Sequence, residues 1–85
     1  MVRMSDELPT LVAQTGPLNG QRWMVNREIL IGREDSCELQ LLSLGISRNH
    51  AEVYFERGRW WIKDLQSANG TFLNGQRIAQ PTRLH

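Results

Sequence analysis

Ser47 and His50 stand three positions apart, with Arg48 between them, in the stretch ISRNHAEV (46–53). Three chemistries use such residues: a nucleophile with its base, a metal site, or a hydroxyl and a cation that hold an anion. A hydrolytic serine needs a base within hydrogen-bond reach and a carboxylate behind that base. A nucleophile elbow reads Gly-x-Ser-x-Gly between a strand and a helix. Here the residues are Gly45-Ile46-Ser47-Arg48-Asn49, so the second glycine is missing and no helical pattern follows. Zinc fares no better. The chain has one cysteine, Cys37, and two histidines, His50 and His85, so a metal would have to lean on carboxylates. No metal, cofactor or internal disulfide is expected. His50, at the mouth of a strand, reads as a hydrogen-bonding brace for the loop before it.

Two further groups could do chemistry. Gly32 ends a β-branched run and permits a sharp turn or the close approach of another backbone. Arg33 then projects from the start of a loop beside Glu34 and Asp35, where an ordinary solvated arginine reads equally well. Farther on, DLQSANGTFLNG (64–75) holds two Asn-Gly pairs. Asn69-Gly70 matches a tight turn, and an asparagine side chain can also bond backbone groups directly. Taken alone, that pair is a hairpin turn.

Ten Lys and Arg against nine Asp and Glu leave a net charge of +1, which is no footprint for broad nucleic-acid or membrane binding. Nine of the ten cations are arginine, with Lys63 the sole lysine. Arginine offers a planar fork of donors suited to phosphate and carboxylate. A compositional bias accounts for that count as well.

The elements that must position these residues are short and β-like. No apolar run approaches the about 18 residues of a membrane span, and the opening residues lack a secretory apolar stretch, so a cytoplasmic protein is expected. Eighty-five residues favour one domain over 1–85. No capped helical periodicity is present. Strand-like runs occur at 10–14, 21–26, 28–32 and 38–41, then at 51–56 and 59–65, joined by Arg57-Gly58 as a hairpin. Ala51, Val53 and Phe55 share the face expected to meet the core, as do Trp60 and Ile62 on the next strand. A tiny strand at 71–73 lies between the two Asn-Gly pairs, 76–80 follows, and Pro81 breaks the chain. Residues 1–7 are expected to be a flexible tail. The pattern predicts an all-β fold, a sandwich or a barrel.

Order and spacing add what the single groups lack. Gly32-Arg33, the Ser-x-x-His of 47–50, the Asp-Leu-x-Ser-x-Asn-Gly-Thr block of 64–71 and Asn74-Gly75 together resemble the forkhead-associated (FHA) domain over about 29–78. That family is a phosphothreonine-peptide binding module without catalysis. The resemblance implies a two-sheet β-sandwich with its site in loops at one end, serving Ser/Thr-kinase signalling. It assigns Arg33 and Ser47 to the phosphate, with Arg48 where some relatives place a basic side chain. Asn69 is assigned to the peptide main chain, and Gly32, His50, Gly70, Asn74 and Gly75 to architecture. The implied partner is a phosphothreonine-containing protein, with neither nucleic acid nor membrane. Two departures stand out. Ala68 replaces a common Ser or Thr, and the family continues for one or two more strands, so 81–85 reads as a truncated or exchanged end and a strand-exchanged homodimer is open. The competing reading is a structural or oligomerisation β-domain with a degenerate phosphate pocket.

Overall fold

The computed structural model describes residues 9–12 and 20–84. The tail expected over 1–7, the turn cluster at 15–19 and the end of the run at 10–14 lie outside them. Every regular element described is a strand: β1 Thr10–Val12, β2 Arg22–Met24, β3 Ile29–Gly32, β4 Leu39–Gln40, β5 Ala51–Glu56, β6 Arg59–Asp64, β7 Phe72–Leu73, β8 Gln76–Arg77 and β9 Thr82–Arg83.

One sheet has five strands in the order β4-β3-β5-β6-β9, while β1-β2 and β7-β8 form separate antiparallel ribbons. The core shows how these layers meet. Ile31, Ala51, Val53, Ile62 and Leu84 belong to the five-stranded layer and bury against Val25. Leu11 from β1, and Leu73 and Ile78 from the β7–β8 side, pack onto the same cluster. The second layer of the sandwich is thus two ribbons, because each ladder in it runs for only two or three residues.

Alternation explains which side chains are covered. Val53 pairs with Ile62 and Ile29, and Ala51 pairs with Ile31, so one inward row runs across β3, β5 and β6. Phe55 departs from the sequence expectation. It lies on the inward phase but is 49% exposed, because it sits near the hairpin turn, where its ring meets Trp60 edge-on at 5.1 Å. Arg57 and Gly58 close that hairpin with φ of 55° and 74°, a two-residue turn whose twist suits the flanking strands.

Pro81 also behaves differently from the sequence reading. Read from the sequence as a break in the chain, it is followed directly by β9, which pairs antiparallel with β6 through Trp61↔Arg83 and Ile62↔Thr82. A proline just before an edge strand withholds no ladder donor, so the strand can start directly after it. Leu84 then buries in the core and its amide donates to Trp60 O at 2.8 Å.

Candidate functional site

Register decides which loops meet. Ile31, Ala51 and Asp64 lie in one row across β3, β5 and β6. The chain therefore leaves β3 after Gly32, enters β5 after His50 and leaves β6 after Asp64, all at the same end of the sheet. Arg33, Ser47, Arg48 and Asn69 all stand on the three loops gathered there, 33–38, 41–50 and 65–71.

Backbone hydrogen bonds lock the first two loops together. Arg33 N donates to Ser47 O at 3.0 Å, Glu34 N to Arg48 O at 3.2 Å, and Arg33 Nε to Ile46 O at 3.0 Å. This approach is possible because position 32 has no side chain. A Cβ there would overlap the Arg48 carbonyl oxygen and come within 2.8 Å of its carbon. Cys37 fills the remaining space, its buried thiol reaching Arg48 O at 3.4 Å. Burial, with the nearby acids, pushes that thiol above its ordinary range, which suits packing and not nucleophilic chemistry.

His50 is buried and bonded on both ring nitrogens. Ser47 N donates to Nδ1 at 3.0 Å, so Nδ1 presents its lone pair, and the Nε2 proton points to Gly70 O at 2.8 Å. The ring therefore ties the serine loop to the third loop. Its bond to Ser47 goes to the amide and not to the hydroxyl. A general base must face the proton it removes, so this geometry is not that of a serine nucleophile with its base.

The Ser47 hydroxyl has another partner. Ala68 N donates to Ser47 Oγ at 2.9 Å, across 21 residues of chain. One lone pair is thereby engaged from within, and the hydroxyl proton remains available to an outside acceptor. Asn69 makes a parallel link, its Nδ2 donating to Gly45 O at 2.9 Å. The Asn69 carbonyl oxygen and second amide proton are left for a ligand. The two Asn-Gly pairs, alike in sequence, thus differ in use. Asn74 and Gly75 both have positive φ, 52° and 83°, and form the β7–β8 hairpin turn, whereas at the first pair only Gly70 does, with φ 85°. Arg77 lies over Gly70, its Nε 2.5 Å from where a Cβ would stand.

Asp64 organises the third loop, a role that its place in the sequence signalled. It falls on the inward phase of β6 after Trp60 and Ile62, where an apolar residue is the rule. Its carboxylate accepts from Ser67 N at 3.0 Å, from the Ser67 hydroxyl, and from Thr71 Oγ1 at 2.7 Å. Burial raises the pKa of this carboxyl, but the hydroxyls of Ser67 and Thr71 and the Ser67 amide outweigh burial and hold it below its ordinary range. Gln66, at φ 59°, turns the chain so that Ser67 can reach back. Ala68 and Asn69 are then presented to the second loop. The contributions of Gly45 as a carbonyl and Ala68 as an amide carry no residue-type signal and are legible only in the fold.

Arg33 and Arg48 are both exposed, and neither guanidinium is ion-paired among the described residues. Among those residues, too, no group of three His, Cys, Asp or Glu is placed to hold a metal ion. The surface thus offers two guanidinium groups without a carboxylate partner among the described residues, Arg33 with its Nε already given to Ile46 O, together with one hydroxyl proton and one asparagine amide on loops that hold each other in place. Such a set suits an anion presented on an extended chain.

The model of the FHA domain matches residues 29–85. The probable E3 ubiquitin-protein ligase dma1 of Schizosaccharomyces pombe is 42% identical over 65 residues, which is 68% of this chain and 24% of that protein. The FHA domain-containing protein FhaB of Mycobacterium tuberculosis is 33% identical over 75 residues, 87% of this chain and 48% of that one. The chain therefore spans less than half the length of either. A solved chain from work on phosphothreonine-dependent FHA domain interactions superposes with a TM-score of 0.73 at 28% identity, covering 92% of this chain and 79% of its own. Its likeness extends through the layers described above, and FHA domains are β-sandwiches. By the match over 29–85 and these likenesses, the chain belongs to the FHA domain family.

Proposed function

We propose that this domain binds phosphothreonine in a partner protein and so recruits that partner in Ser/Thr-kinase signalling. Arg33, Ser47 and Arg48 hold the phosphate, and Asn69 holds the peptide main chain. The observation that carries the reading is the Ala68 N to Ser47 Oγ bond of 2.9 Å, which fixes the hydroxyl with its proton free. A phosphate brings about −1.5 to −2 charges and three acceptor oxygens. Two unpaired arginines and one hydroxyl match that demand without a strongly basic domain. The solved relative with phosphothreonine-dependent interactions, and EmbR of Mycobacterium tuberculosis solved with a low-affinity phosphopeptide, support the same ligand class.

The test is calorimetric titration with a phosphothreonine peptide and its dephosphorylated twin, on the natural chain and on Arg33→Ala. Binding is expected only for the phosphopeptide, and the variant is expected to lose at least tenfold in affinity, about the value of one charge-assisted bond. Equal binding of both peptides, or no effect of Arg33→Ala, would overturn the proposal.

A further inference from the structure

A cleft of about 440 Å³ opens between the end of β6 and the segment that leads from β8 to β9. Lys63, Asp64 and Gln66 form one wall, and residues 77–81 form the other. No lining residue belongs to the loops 33–38 and 41–50, so the cleft shares nothing with Arg33, Ser47 or Arg48. It exists because β9 pairs with β6 only at Trp61 and Ile62, and the chain stands apart from Lys63 and Asp64 before that. Both walls are held. Ile78 packs on the core and its amide donates to Thr71 O at 2.9 Å, while Thr82 Oγ1 donates to Gln80 O at 2.9 Å. Asp64 is fixed from the opposite side by Ser67 N and Thr71 Oγ1.

Two cations, Lys63 and Arg77, stand against one carboxylate, Asp64, which leaves the lining with one net positive charge. The Asp64 oxygens are engaged by Ser67 and Thr71, whereas the cations have little to hold. Arg77 is exposed and has no ion pair among the described residues. Lys63 meets Glu52 at 3.5 Å between side chains 41% and 38% exposed, a contact worth little. The Arg77 guanidinium is nonetheless positioned, because its Nε lies 2.5 Å from where a Cβ of residue 70 would stand and so rests on bare glycine backbone. Gln66 and Gln80 add carboxamides, and Ile78 adds an apolar floor. A planar guanidinium fork suits a carboxylate, and a cleft of this size with few polar groups over an apolar floor suits an organic ligand.

We infer that this cleft is a second binding site, which takes a carboxylate carried on a short apolar stem. The carboxylate meets Arg77 and Lys63, and the stem lies on Ile78. A free organic acid and a glutamate side chain set among aliphatic residues of a partner protein present the same chemistry. The site is independent of the phosphothreonine reading, with which it has no residue in common.

The experiment follows backbone amides by nuclear magnetic resonance while the natural chain is titrated with hexanoate, with its neutral twin hexan-1-ol, and with the peptide N-acetyl-Leu-Glu-Leu-amide. Hexanoate is expected to shift the amides of Gln66 and 77–80 saturably, with a Kd of about 1 mM, the scale for so small a ligand. The alcohol is expected to bind about tenfold more weakly. Lys63→Gln, alone and with Arg77→Gln, should weaken hexanoate, the pair by about tenfold, while Arg33→Ala leaves it unchanged. Tighter binding of the peptide than of hexanoate assigns the site to a partner's side chain, and the reverse order assigns it to a free acid; either result supports the site. Absence of saturable shifts up to about 20 mM hexanoate, equal binding of the alcohol, or shifts confined to residues 33–36 and 46–48 overturns it. None of these results bears on whether a phosphothreonine peptide binds.

Discussion

Ser47 Oγ accepts a hydrogen bond from the amide of Ala68 at 2.9 Å. A residue whose side chain carries no polar atom thereby fixes the hydroxyl that is proposed to meet the phosphate. A serine or threonine at 68 could add a hydroxyl of its own, but the amide is present whatever side chain stands there. The missing hydroxyl does not undo the link between the second and third loops.

Ser47→Ala should separate binding from folding. It removes the hydroxyl proposed to donate to the phosphate and the acceptor for Ala68 N, both at a partly exposed position. Affinity for a phosphothreonine peptide is expected to fall by about 1.5–3 kcal/mol, roughly 10- to 150-fold, as for a bond to a charged group. The melting temperature should move by only a few degrees. Calorimetric titration beside thermal denaturation checks both. A variant that binds as well as the natural chain would remove Ser47 from the site.

Gly32→Ala should do the reverse and act first on the fold. The added methyl would overlap the Arg48 carbonyl oxygen, and both nearest atoms belong to backbone that Glu34 N and Cys37 already hold. Overpacking against backbone costs about 3 kcal/mol, or roughly 15 °C in melting temperature for a domain of this size. Peptide binding should weaken as well, because the carbonyl can retreat only by moving Ser47 and Arg48. A melting temperature within a few degrees of the natural chain would show that this close approach is not required.

The strands were legible because their signals are local. Period-two alternation marks 51–56 and 59–64, and the two turn residues between them, Arg57 and Gly58, have the positive φ that a two-residue hairpin needs. Phe55 was misread because alternation gives the face of a side chain and not whether anything covers that face. β9 was missed because two residues after a proline carry no period at all. At the site, Gly32, His50 and Asn69 have side chains, or lack one, in ways that narrow what they can do. Gly45 and Ala68 act through main-chain atoms that every residue possesses, so only the fold reveals them. Asp64 lies between these cases, since its charge on an inward phase was visible and its partners were not.

His50→Ala should destabilise the domain and loosen the site together. The ring is 6% exposed and joins Ser47 N to Gly70 O. Its loss leaves a half-buried donor, Ser47 N, and a buried acceptor, Gly70 O, without partners, each worth about 1–3 kcal/mol. A drop of roughly 3 kcal/mol is expected in urea unfolding, with weaker phosphopeptide binding at temperatures where the variant remains folded. Unchanged stability would mean that water replaces both bonds, and the brace would be dispensable.

Acid should weaken the third loop through Asp64. Burial raises its pKa, yet the hydroxyls of Ser67 and Thr71 and the Ser67 amide hold the folded value below the ordinary 3.8. A carboxylate with a lowered folded pKa binds fewer protons folded than unfolded through that interval. Its contribution is complete above the ordinary value and is lost as pH falls through the folded one. Urea unfolding of the natural chain should therefore weaken below about pH 4. Asp64→Asn lacks the titrating group, so it should be less stable than the natural chain at pH 7, and the gap should narrow as pH approaches 2.5. Because Asp64 presents Ala68 and Asn69, the same variant should bind phosphopeptide more weakly at pH 7. A stability gap of equal size at pH 7 and pH 2.5 would show that the carboxylate's charge plays no part in holding this loop.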